Sequence, residues 1–265
     1  MQAIQTLRPA GELIREWRQR RRLSQLDLAL EAEISTRHLS FIETGRSRAS
    51  REMLTLLADR LDVPLRERNQ LFTAAGLAPP HYELPIDHPD LAAARRAMDL
   101  ILGAHEPFPA LAIDRHWNMV GANAGVKLLM AGAAPKLLEP PVNVLRLALH
   151  PEGLAPAIIN LGEFKAHLVE RLNRQLAMTG DTVLAELIAE LIAYPAPQPS
   201  QAAEPTALFT VMRIVSPAGE LSFFSTTTMF GTPHEVTLSE MAIEAFFPAD
   251  AATSDRLRIL AGKSD

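Results

Sequence analysis

Along positions 9–75, apolar residues recur at helical spacing in five short runs, each closed off by polar or glycine punctuation. Residues 10–21 place Leu13, Ile14 and Trp17 along one side of a first helix. Ser24 precedes a second, with Asp27 three residues on in a weaker form of the capping box, and Leu28 and Ala29 face inward. The third, STRHLSFIETG at 35–45, opens on Ser35 as N-cap. At about 100° per residue Leu39 and Ile42 share one face, while Phe41 falls on the other side beside Arg37 and Ser40. Ser50 caps a fourth helix containing Met53, Leu54, Leu57 and Leu61; the fifth carries Leu65, Leu71 and Phe72 and stops at Gly76.

Pro79, Pro80, Pro85 and Pro89 then fall within residues 77–90, a density that stops helices and stiffens a connection. The expected organisation is a helical domain at 9–76, a proline-rich linker at 77–90 and a second domain at 91–265. The second domain reads as mixed. Residues 111–114 and 117–121 suggest short strands about an Asp-Arg-His turn; 123–130 and 142–149 suggest helices, and 157–178 and 181–193 longer ones. YPAPQPSQAAEPT at 194–206 predicts a mobile loop. Residues 207–215 and 220–230 are β-rich runs joined by SPAG, and 235–247 holds a third.

A chain of 265 residues with 48% hydrophobic content is long enough for two packed cores. The formal charge of -5 hides an asymmetry: residues 1–80 carry 13 Arg and no Lys against 10 acids, and residues 81–265 carry 13 bases against 21 acids. All-arginine basicity at one end suits phosphate contact, and equally an ordinary solvated helix face. No cysteine is present, which excludes disulfides, thiolate metal sites and thiol nucleophiles. The opening MQAIQTLRPAGELIREW has no apolar core of signal-peptide length, and no run approaches the roughly 18 apolar residues of a spanning helix, so the expected compartment is the cytoplasm and no membrane partner is expected.

Two helices joined by a tight turn, the second presenting Arg37, Ser40 and Phe41 outward, meet the needs of a major-groove reader. Arginine can donate two hydrogen bonds to guanine, apolar carbon can sit against a thymine methyl, and Thr36 can add a methyl or hydroxyl contact. The competing reading packs Phe41 on a neighbouring helix or a second copy of the chain. Catalytic signatures are lacking: there is no HExxH, P-loop or GxSxG, and His105, His116, His150, His167 and His234 are scattered without metal-ligand spacing. The expectation is therefore no enzyme, no metal and no cofactor.

SQLDLALEAEISTRHLSFIETGR resembles the Cro and lambda-repressor type of helix-turn-helix of the XRE family, through Gln25, Ala29, Ile34 and the IETG ending. The resemblance implies that Gln25 holds a phosphate, that Thr36, Arg37 and Phe41 lie at base edges, and that Arg46, Arg48 and Arg51 reach the DNA backbone or an adjoining minor groove. It further implies a structural ion pair between Arg18 and Glu43. Arg22 and Glu33 stand where that family commonly has glycine, and a positive φ at either position would carry strain.

LAIDRHWNMVGAN at 111–123, the stretches 143–175 and 179–195, and LSFFSTTTMFGTPHEVTLSEMAIEAFFPADAAT at 221–253 resemble the MmyB-like ligand-binding domain. That resemblance implies a PAS-like α+β fold, an antiparallel sheet with packed helices, following the mainly α five-helix domain, and a pocket for a fatty-acid-like molecule. Trp117, Met119, Phe209, Phe223, Met229 and Phe246 are apolar candidates for its lining, or for a dry core. His167, Arg171 and Arg174 form one polar stripe able to meet a carboxylate, with Arg146 and His150 as competitors. The expected whole is a homodimeric regulator that binds double-stranded operator DNA and senses a small apolar ligand. Two alternatives stand beside it: a second domain that only dimerises, and an enzyme tethered to DNA.

Overall fold

The computed structural model describes residues 8–199, 210–231 and 233–262. The chain divides into two compact units, one reaching to Leu84 and including Pro233–Ser239, the other formed by Pro85–Thr232 with the residues from Glu240 onward.

In the first unit the described residues form α1 (Ala10–Arg20), α2 (Gln25–Glu31), α3 (Thr36–Glu43), α4 (Arg51–Arg60) and α5 (Leu65–Ala74). Serine side chains start three of them. Ser24 Oγ accepts from Asp27 N while the Asp27 carboxylate accepts from Ser24 N, a complete capping box; Ser35 and Ser50 cap α3 and α4 singly. Ile14, Trp17, Leu28, Leu39, Ile42, Leu54, Leu57, Leu71 and Phe72 form the core. Gly11 lets α1 approach the end of α3: a Cβ there would stand 2.2 Å from the Ile42 carbonyl oxygen and 2.9 Å from that of Glu43. By its contacts the proline-rich segment after α5, read from sequence as a stiff linker at 77–90, groups with this unit as far as Leu84. The Asn69 side chain holds both backbone groups of His81, and Arg51 donates to the Ala78 carbonyl. Residues 233–239, which include the helical turn Val236–Ser239, lie along the same segment, with Val236 N donating to Tyr82 O and Leu84 N donating to Glu235 Oε1.

The second unit contains α6 (Ala92–Ala104), β1 (Ala110–Ile113), β2 (Met119–Ala122), α7 (Ala124–Met130), α8 (Val144–Leu149), α9 (Leu161–Thr179), α10 (Thr182–Ala193), β3 (Met212–Ser216), β4 (Gly219–Met229), β5 (Ala242–Pro248) and α11 (Ala251–Leu260). The described strands make one antiparallel sheet in the order β2-β1-β5-β4-β3, so that β5 enters between the first and second hairpins. This is the α+β, PAS-like arrangement expected, with α6 and α11 additional to the elements read from sequence. β2 begins at Met119 rather than at Trp117 because Asp114 accepts from the backbone N–H groups of His116 and Asn118 and closes the turn between them. Asn123 ties three elements together: its Oδ1 accepts from Ala110 N and Val126 N, and its amide donates to the carbonyls of Leu102 and Phe108. Arg146 on α8 grips Glu190 on α10 through two nitrogens at 2.8–3.0 Å, and the Tyr194 hydroxyl donates to the same carboxylate.

Two expected outcomes test these contacts. Gly11→Ala forces α1 away from α3, a packing insult of about 1–3 kcal/mol. Amide hydrogen exchange in α1 and α3 should accelerate about 5–150-fold, and unchanged protection would refute the close approach. Burial, followed by the Glu190 carboxylate, pushes the Tyr194 phenol up to about 12. Because the folded pKa lies above the unfolded one, this contact supports the fold below about pH 10 and is lost as pH climbs through about 12. In a Tyr82→Phe variant, which retains one of the two tyrosines, the phenolate absorbance should rise with a midpoint near pH 12.

Candidate functional site

The outward side of α3 is set by what fixes its inward side. Leu39 and Ile42 are buried in the first unit's core, and Glu43, at the last turn, meets Arg18 of α1. Arg18 Nε and Nη2 donate to the two Glu43 oxygens at 2.7 and 2.9 Å, and the side chains are only 10% and 1% exposed. Hydrogen bonding to Glu43 raises the guanidinium pKa further, against desolvation. Arg18 also donates to the Leu23 carbonyl, and Gln25 of α2 donates to Glu43 at 2.8 Å. One carboxylate thus gathers α1, α2 and α3. The implied Arg18–Glu43 pair is present; the Gln25 amide, implied to hold a phosphate, gives one N–H to Glu43 and keeps a second donor.

With that register Thr36, Arg37, Ser40 and Phe41 lie away from the core. The Phe41 ring is half-buried by arginines and not by leucines: the Arg37 guanidinium carbon lies 5.3 Å and that of Arg46 5.9 Å from its centroid. A cation over an aromatic face at a surface is worth about 0.5–1 kcal/mol. The ring therefore holds two guanidinium groups against it, and neither is paired with a carboxylate among the described residues. Arg37, Arg46 and Arg48 are exposed and form no ion pair among the described residues. Arg51 is exposed as well; its guanidinium carbon lies 5.1 Å from the Phe72 centroid and one of its nitrogens donates to Ala78 O. Arg22 and Glu33 adopt φ of 58° and 54°, the left-handed region that costs an L-residue about 1–2 kcal/mol. The turn before α3 is strained where glycine would relax it.

In the second unit an apolar cavity of about 110 Å³ lies between one face of the sheet and helices α7, α8 and α9. Trp117, Met119, Phe223, Phe246, His167 and Arg171 line it, together with Leu111, Val126, Leu145, Phe164, Leu168, Met212, Ser225 and Glu244. Phe209 lies outside the described residues. Met229 corrects one assignment: it is 59% exposed at the far end of β4 and does not reach the lining. Arg174 corrects another, since it turns to solvent and pairs with Glu170 at 2.8 Å. Arg146 is held by Glu190, and the His150 ring stands edge-on to Tyr194 at 5.1 Å; neither lines the cavity.

Trp117 sits at φ 67°, an outlier for a bulky residue. It is pinned there by the Nε1 bond to Gln175 Oε1 at 2.9 Å and by Arg171, whose guanidinium carbon lies 4.6 Å from its centroid. Arg171 in turn bonds both oxygens of Glu244, at 3.1 and 2.5 Å, and Thr227 Oγ1 at 2.8 Å. Glu244 was not anticipated, although its alternation with Phe246 along β5 put it on the cavity face. Burial, then the charges of Arg171 and Arg174, lower the His167 pKa and keep the imidazole neutral near pH 7. Among the described residues no group of three or more His, Asp or Glu side chains is placed to hold a metal ion, and no helix is long and apolar enough to cross a membrane.

Residues 14–68 match the family model of the helix-turn-helix, and residues 94–260 match that of the MmyB-like transcription regulator ligand binding domain. No match was found among curated proteins. Among solved structures the chain is similar to an RNA-binding light-oxygen-voltage receptor, at 13% identity over 96% of this chain and 64% of that one. The chain thus spans a little under two thirds of that receptor, and the TM-score of 0.27 is too low to relate the two folds. The second match extends over more than half of the residues, and the chain belongs to the MmyB-like transcription regulators, with a helix-turn-helix ahead of the ligand-binding domain.

Proposed function

We propose that the protein is a homodimeric, sequence-specific regulator that reads operator DNA with α3 and responds to a small apolar molecule held in the cavity of the second unit. The observation that carries the first half is the arrangement around Phe41. Two unpaired guanidinium groups flank an aromatic ring on the outer side of a helix whose inner side is fixed by Leu39, Ile42 and a buried ion pair. Such a face offers bidentate donors for guanine and apolar carbon for a thymine methyl in a groove wide enough for one helix. Arg46 and Arg48, just beyond α3, are the phosphate contacts, which supply affinity and salt dependence. Gln25 and Arg51 keep donors beyond their single bonds within the first unit and are further phosphate candidates. A single module of this kind buries limited DNA surface, which favours two copies on paired half-sites.

The apolar cavity, walled by Leu111, Trp117, Leu168 and Phe246, supports the second half. A ligand there acts only to the extent that it prefers one state of the regulator over another. The fatty-acid-like ligand that the resemblance implies finds little room. About 110 Å³ is below the roughly 150 Å³ that admits benzene in an engineered cavity, and well below the roughly 300 Å³ at which drug-sized pockets begin.

Fluorescence anisotropy on operator and random duplexes separates the assigned roles. Arg37→Ala should reduce discrimination at one base position by about 1–3 kcal/mol, while Arg46→Ala weakens all sequences alike and lowers the slope of log affinity against log salt by about 1. Equal losses on both duplexes for Arg37→Ala would count against a base-reading role.

A further inference from the structure

In the second unit the inner side of α6 is fixed and its outer side is apolar and uncovered. Leu91, Met98 and Leu102 are buried, and the last two pack so closely over β2 that a Cβ on Gly121 would stand 3.3 Å from Leu102 and 3.6 Å from Met98. Arg95 anchors the start of the helix by donating to the carbonyls of Ile86 and His88. At about 100° per residue this turns Ala93, Ala97, Leu100 and Ala104 to the opposite side, with Leu100 74% and the adjoining Ile101 41% exposed. These positions stand four, three and four residues apart, the spacing of a seam between two helices. Three are alanine and Leu100 alone projects along the seam. Arg96 and Asp99 border it on one flank; both are exposed, and neither side chain bonds another described residue.

We infer that α6 is the surface through which two copies of this chain associate, as an antiparallel helix pair about a two-fold axis between Met98 and Asp99. This rests on the reading of the protein as a homodimer and names the contact that makes it. The occupant is a second copy because the face complements itself in shape and in charge. Under that axis each Leu100 lies against the other copy's Ala97 and each Ala93 against the other copy's Ala104, so the alanines let the helix axes approach to about 8 Å, the close end of helix packing. Arg96 and Asp99 stay on the same flank of the pair, and each guanidinium finds in the other copy the carboxylate it lacks in its own. A parallel pair would set each Leu100 on its twin, prise the helices apart and leave gaps between the alanines. It would also put the two Arg96–Asp99 borders on opposite flanks.

The chain has no cysteine, so introduced ones report on the contact without background. Ala93 and Ala104 lie about 16 Å apart along one helix at roughly 1.5 Å per residue, and in the antiparallel pair the same offset separates each from its own twin, too far for a disulfide. Full-length Ala93→Cys/Ala104→Cys should therefore oxidise to a covalent dimer at least tenfold faster than either single variant, read on non-reducing gels. Leu100→Glu, at a position the core does not use, should weaken dimerisation at least tenfold in sedimentation velocity and leave the circular dichroism spectrum unchanged. Linking of Ala93→Cys alone at the rate of the double variant marks a parallel pair and overturns the inference. A dimer that links no faster in the double variant, or that ignores the Leu100 substitution, has its interface elsewhere; the inference then fails and the homodimer stands. A wild type that sediments as a monomer at every concentration removes the homodimer and the inference together.

Discussion

The first unit is organised about a single buried carboxylate. Glu43 receives two hydrogen bonds from Arg18 and one from Gln25, so helices α1, α2 and α3 converge on two oxygen atoms. A buried ion pair is weak evidence for stability, because desolvating both charges offsets much of their attraction. Its value is directional. Arginine presents a planar fork that accepts a carboxylate in one orientation, and this fixes the rotation of α3 about its own axis more tightly than leucine packing alone can. Rotation is what matters for the exposed face: one residue's worth, about 100°, would take Phe41 from the outer side to the core. Gly11 completes the constraint by removing the side chain that would hold α1 away from the carbonyls of Ile42 and Glu43.

The second unit repeats the device with another outcome. Arg171 and Glu244 are also a bidentate pair with a buried carboxylate, and a third side chain, Thr227, again completes the set. Here the pair joins a helix to a sheet and stands in a cavity wall, so the bond that positions α9 over β5 also neutralises the one fixed positive charge among the described lining residues. Trp117 carries the associated strain. A tryptophan at φ 67° persists because Asp114 closes the turn around it and because Gln175 and Arg171 hold the ring from above.

Much of the helical unit was legible because its signals are local. Ser24, Ser35 and Ser50 each lie three residues from the amide they cap, and spacing alone puts Leu39 and Ile42 opposite Phe41. The same spacing leaves unsaid what covers Phe41, since Arg46 reaches the ring only through the turn that ends α3. Long-range partners were illegible for the same reason: Glu244 lies 73 residues from Arg171, and Gln25 and Arg51 find theirs 18 and 27 residues away. Arg171 and Arg174 look equivalent as members of one stripe, yet three residues on a helix leave them about 60° apart, enough to send one to the sheet and the other to Glu170. The short α11 escaped because its polar and apolar faces contrast little in sequence, although Asp250, which caps it, was a readable start signal; α6 was legible from its contrast of faces and was passed over behind the proline run.

The chain path adds a constraint that neither unit carries alone. A regulator with one linker would cross between its units once; this chain crosses after Leu84, again before Pro233 and again after Ser239. The second and third crossings flank the segment that lies along residues 82–84, and they are short, since β4 ends at Met229 and β5 begins at Ala242. β4 and β5 are also the strands that bring Phe223, Ser225, Glu244 and Phe246 to the cavity. Two of the chain's three crossings therefore adjoin strands that line the cavity.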